Sequence, residues 1–190
     1  MTNIATPPQA ARASEASPHW LKRYYAVRAL VSVIWVASAF TIGETQPLAG
    51  IALFIAYPAW DCLANCVDAM RTGGFRANPS QTLNAVVSAI VTLAVAATVG
   101  ADVHTAIGVI GVWAALSGIL QLATGVRRWR GVSAQWPQIL SGAQSTLAGT
   151  HFLMKAVHPA LAVSLTDIAP YAAFGALYFG ISAFVLVIKR

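Results

Sequence analysis

Asp61, Asn65 and Asp68 recur at i, i+4 and i+7, a spacing that lays three polar groups on one face of a helix. They stand in an otherwise apolar run, where an ionisable group costs about 2.5–3.5 kcal/mol on insertion scales and so calls for a partner or a task. Asp61 precedes Arg71 by ten residues, about 15 Å along a helix. It follows Pro58 by three, and a helix-interior proline frees the carbonyl four residues before it, that of Phe54. Two readings fit these residues. A protonatable carboxyl in low-dielectric surroundings can relay a proton or ion. The same stripe can instead clasp helices together, with Asp68 paired to Arg28 and Asp61 protonated or bonded to Asn65 and its neighbours. His151, on a later apolar segment at a depth within one or two helical turns of Asp61, is a candidate hydrogen-bond partner or pH-responsive group. Cys62 and Cys66, at i and i+4, have the softness to share a metal with Asp61 or His151, but as two small side chains in a packed helix they need none. Neither a metal site nor a cofactor is expected.

The surroundings of these residues set their meaning. Of 190 residues, 57% are hydrophobic and 9% charged, against roughly 25% charged in an ordinary soluble domain. Six apolar segments follow a Pro- and Ala-containing tail at 1–19: Tyr24 to Gly43, Pro47 to Met70, Gln81 to Gly100, Val103 to Val126, Pro137 to Val157 and Pro170 to Ile188. Each has about the 20 residues needed to cross a hydrocarbon core, and in lipid only a helix satisfies its own backbone. Pro47, Pro137 and Pro170 suit first helical turns, Ser80 and Asp102 suit N-caps, and Gly43, Gly73, Gly74 and Gly100 suit helix ends. The expectation is an all-α, polytopic membrane domain over 20–190, its six helices arranged as three hairpins at about 24–70, 81–126 and 137–188.

Eleven of the twelve Lys and Arg residues fall on one side of this topology, in the termini and the loops after Met70 and Val126. The positive-inside rule places that side, with both termini, in the cytoplasm of a bacterial inner membrane. Lys155, the exception, is expected to snorkel outward. The basic excess is thereby a topology signal, and the partner is the lipid bilayer, not nucleic acid. No phosphate-binding glycine loop, paired zinc histidines or nucleophile elbow is present, so no enzyme activity is expected.

A shift of 56 residues lays RALVSVI (Arg28 to Ile34) on NAVVSAI (Asn84 to Ile90), and a further 57 reaches SGAQSTL (Ser141 to Leu147), aligning Ser32, Ser88 and Ser145. The second helices align through Arg71, Arg127 and Lys189, which sets Ser117 and Phe179 opposite Asp61. A ring of carboxylates is therefore excluded, while approximate threefold character is expected from three units of parallel orientation. Gly108, Gly111 and Gly118 on the fourth helix, and Gly142 and Gly149 on the fifth, are candidate close-packing positions. A homo-oligomer or another membrane protein is compatible with such surfaces.

The hairpin pattern, the basic turns and the run QWPQILSGAQSTLAG (Gln135 to Gly149) resemble the HdeD-like membrane proteins of bacteria. That resemblance implies a non-enzymatic inner-membrane protein acting in envelope or acid-stress adaptation and carries no catalytic residues across. A small proton- or solute-conducting unit built on Asp61, Asn65 and His151 is the competing expectation.

Overall fold

The computed structural model describes residues 18–128 and 136–188. Most of the expected tail, together with Trp129, Arg130, Lys189 and Arg190, lies outside them. All regular structure among the described residues is helical: α1 (Pro18–Ser38, widening into a π-helical turn at Ala39–Gly43), α2 (Pro47–Arg71), α3 (Pro79–Thr98), α4 (Val103–Arg128), α5 (Trp136–Val157) and α6 (Ala169–Ile188). A single 3-10 turn, Leu165–Asp167, precedes α6. Among the described residues five helices are long and apolar enough to cross a membrane: α1 with its π turn, α2, α3, α4 and α6. The sixth, α5, has 22 residues but carries Gln144, Ser145, Thr146, Thr150, His151 and Lys155; it falls short in apolarity, not in length.

Helix boundaries follow local chemistry. Asp102 caps α4 through its carboxylate, which accepts from the His104 N–H at 2.9 Å and from the Thr105 hydroxyl. At α3 the N-cap is Asn78, with Pro79 at the first turn, not Ser80. The Asn78 amide donates to the carbonyls of Gly74 at 2.9 Å and Thr72 at 3.0 Å, knitting together a turn in which Gly73 and Gly74 take φ of 110° and 90°. α2 stays helical through Pro58, which is buried.

The packing departs from the expected hairpins. The most extensive contacts join α4 to α5, α1 to α6 and α2 to α3, whereas α1 with α2 and α5 with α6 touch sparsely. A short connection holds only the ends of two helices together; the faces that interdigitate are chosen by small and polar residues. Tight and loose contacts thus alternate around a closed ring, α6 meeting α1. Inside it α2, α4 and α6 converge through Tyr57, which lies 6.1 Å from both Trp113 and Tyr171, centroid to centroid. Trp35, Phe54, Val95, Ile107, Ile110, Phe152 and Ile168 form the apolar core around these rings.

The α4–α5 contact is made by glycine. A Cβ on Gly118 would stand 2.7 Å from the Gly142 carbonyl oxygen, one on Gly142 2.6 Å from the Leu122 amide nitrogen, and one on Gly149 2.6 Å from the Gly111 carbonyl oxygen. Gly111 is similarly confined, 3.0 Å from the Gly149 oxygen, and Gly108 meets Ala156 at 3.1 Å. Because most of the neighbouring atoms are backbone, no rotamer change would make room.

Candidate functional site

The core lies toward the short-loop end of the ring, and the polar groups lie toward the end carrying the basic loops. Arg28, ten residues into α1, and Asp61, ten residues before the end of α2, reach the same level from the same end. They form an ion pair whose side chains are 13% and 19% exposed. The second Asp61 oxygen accepts from the Ser88 hydroxyl of α3 at 2.8 Å and the Asn65 amide at 3.0 Å, and the same amide reaches the Asp61 carbonyl at 2.8 Å. One carboxylate therefore takes donors from three helices. Arg28 in turn donates to the Tyr24 hydroxyl at 3.0 Å and stacks its guanidinium 4.2 Å from the centre of the Phe179 ring on α6. Its Nε finds no acceptor among the described residues.

Asp68 does not pair with Arg28. The arginine, at the level of Asp61, leaves Asp68 two turns nearer the end of α2, where it accepts from the Trp20 indole at 3.0 Å and Gln81 at 3.4 Å. His151 is no partner of Asp61 either: α5 turns it to the exposed face, beside Phe152, while the glycine face lies against α4. Lys155 does not snorkel freely; it pairs with Asp167 and donates to the Ala162 carbonyl at 3.1 Å, fastening the long loop before α6. The same loop is held by His104, whose Nε2 is 3.0 Å from the Leu161 carbonyl. Among the described residues no group of three His, Cys, Asp or Glu could hold a metal.

The three serines aligned by the internal repeat are all buried, Ser32 at 9%, Ser88 at 0% and Ser145 at 8% exposure. Ser88 binds Asp61. Tyr57 and Trp113, also 56 residues apart, touch each other, as repeat-equivalent residues near a common axis must. Arg28 contacts two of the three equivalent positions, Asp61 and Phe179. Spacing along one helix does not mark Ser88, Tyr24 or Trp20 as partners of this cluster; the repeat alignment marks Ser88, and nothing local marks the other two. A cleft of about 350 Å³ opens in the loose α1–α2 seam, lined by Ser32, Trp35, Tyr57, Trp60 and Leu63 among others.

A family described as a short repeat of unknown function, DUF308, matches residues 83–154, which cover most of α3, all of α4 and most of α5. No curated protein and no solved structure matches the chain. With its apolar helices, the matched segment makes this a membrane protein with multiple candidate spans.

Proposed function

We propose that the chain is a non-enzymatic, multi-pass protein of the bacterial inner membrane, of HdeD-like type, with six spans and both termini cytoplasmic, serving envelope or acid-stress adaptation as a packed helical scaffold. The observation that carries the scaffold reading is the saturation of Asp61: Arg28, Asn65 and Ser88 occupy its oxygens from three helices. A proton relay needs a carboxyl that exchanges partners with water, whereas this one is committed to neighbours whose loss would separate α1, α2 and α3. The DUF308 match supports the HdeD-like assignment over residues 83–154, and the stress role rests on that resemblance.

Reconstitution in liposomes containing a pH-sensitive dye tests the reading. The expected result is no protein-dependent proton flux in acidic or neutral buffer. Flux that disappears in Asp61→Asn would transfer the assignment to conduction. Reporters fused after Arg76, Arg130 and Arg190 should all report the cytoplasm, and a periplasmic signal at Arg130 would break the six-span topology. Removal of the protein from its host should lower survival in acid, with recovery on re-expression; unchanged survival would remove the stress role and leave the scaffold.

A further inference from the structure

The outward face of α5 sets two polar side chains among apolar ones. Leu140, Gln144, Leu147, His151 and Met154 follow one another at intervals of four, three, four and three residues, the spacing of a coiled-coil seam. Leu140, Leu147 and Met154 are 50%, 71% and 56% exposed, His151 is exposed as well, and Gln144 is half-buried at the edge of the stripe. At 3.6 residues per turn this stripe lies diametrically opposite Gly142 and Gly149, so α4 covers one side of α5 and leaves the other open. Two of the five seam residues are polar. Neither Gln144 nor His151 makes a hydrogen bond or ion pair with any described residue. His151 lies six residues, about 9 Å along the helix, from the end of α5 at Val157, so in a membrane-crossing α5 it stands well inside the span. Polar side chains in apolar spans ordinarily face other protein, because hydrocarbon offers them nothing.

We infer that this seam binds the α5 of a second copy, side by side and parallel, with Gln144 meeting Gln144 and His151 meeting His151. Both side chains are self-complementary: a neutral imidazole and a primary amide each carry a donor and an acceptor. A second copy inserted with the same topology brings both groups to the same depths, as a twofold axis along the membrane normal requires. Leu140, Leu147 and Met154 supply the packing between the polar layers, and the polar layers fix the register. The polarity that separates α5 from the five apolar spans thereby has a use.

The inference rests on α5 crossing the membrane, and the two can fail separately. Full-length chains carrying Cys62→Ser and Cys66→Ser, with one added cysteine, are oxidised in native membranes. Leu147→Cys and His151→Cys should cross-link two chains, whereas Leu177→Cys on the exposed face of α6 should not. Single-molecule photobleaching of the otherwise unaltered labelled protein in dilute liposomes should show two-step traces. Gln144→Leu with His151→Leu should weaken that association about tenfold or more. One-step traces at every density, or equal cross-linking through Leu177→Cys, would overturn the inference. If His151→Cys in intact vesicles reacts with a membrane-impermeant maleimide, α5 is not embedded and the spanning reading falls with it. Protection without cross-linking overturns the dimer alone.

Discussion

Removing one member of the Arg28–Asp61 pair strands the other, and the two strandings are unequal. Asp61 without Arg28 keeps Asn65 and Ser88. Arg28 without Asp61 keeps only the Tyr24 hydroxyl and the Phe179 face and stays charged, since guanidinium does not release its proton in proteins. Breaking a buried pair typically costs about 3–5 kcal/mol. Asp61→Leu is therefore expected near the top of that range and Arg28→Leu below it. The double variant should be less destabilised than the sum of the two, as read from thermal unfolding in detergent. Equal, additive losses would mean the pair is not coupled. The stripe Asp61, Asn65, Asp68 was legible because helical spacing is local, and so was the need of a buried carboxylate for a cation. Which carboxylate Arg28 takes was not, because the answer depends on how far α1 is offset against α2, a property of tertiary packing that no single-helix pattern encodes.

At the level of elements, glycine separates two kinds of helix surface. Gly149→Ala places a methyl group against the backbone of Gly111 and Ala115, so α4 and α5 must move apart. Gly180→Ala on α6 meets nothing within 4 Å and removes a residue costing a helix about 1 kcal/mol relative to alanine. Thermal unfolding should show the first destabilised by several degrees and the second unchanged or slightly raised; a neutral Gly149→Ala would refute the close contact. The turn between α3 and α4 carries a pH dependence. Hydrogen bonds from Thr105 and the His104 amide hold the Asp102 carboxyl below its usual value, so the folded state favours the anion. Its contribution is complete above the ordinary carboxylate value of about 3.9 and is lost as pH falls below it through the lowered folded value. After correction for intrinsic exchange, protection of the His104 amide should fall over that acidic window in the native chain and stay level in Asp102→Asn. The glycine positions and the Asp102 cap were readable because each is a local steric or hydrogen-bonding requirement. The grouping into hairpins was not, since loop length reports which helix ends are adjacent and says little about which faces interlock.

For the molecule as a whole, the alternation of tight and loose contacts means that the chain is held closed where its sequence is most distant. The α1–α6 contact, with Tyr25 stacked 6.1 Å from Phe179, joins the first described helix to the last, and the α4–α5 contact spans a connection, 129–135, outside the described residues. Cutting that connection divides the protein into a four-helix piece and a two-helix piece, each with an even number of helices, so that both can insert with their own loops on the correct sides. The two pieces remain joined along both flanks of the smaller one, by glycine packing on α4 and by Phe179 under Arg28 and Tyr25. Co-expressed halves divided between Arg128 and Trp136 should therefore co-purify through a tag on either one. Gly149→Leu, which obstructs one flank, should reduce the yield of the pair, and Gly149→Leu combined with Arg28→Leu should abolish it. A division placed in the α3–α4 turn instead leaves α4, α5 and α6 to meet the rest through the lesser α3–α4 contact on one flank and through α1 on the other, and it splits the units at an odd number of helices. That pair should assemble poorly. If the two divisions perform alike, the glycine packing of α4 on α5 adds nothing to assembly beyond what the lesser α3–α4 contact supplies, and the alternation of tight and loose contacts would have no part in holding the halves together.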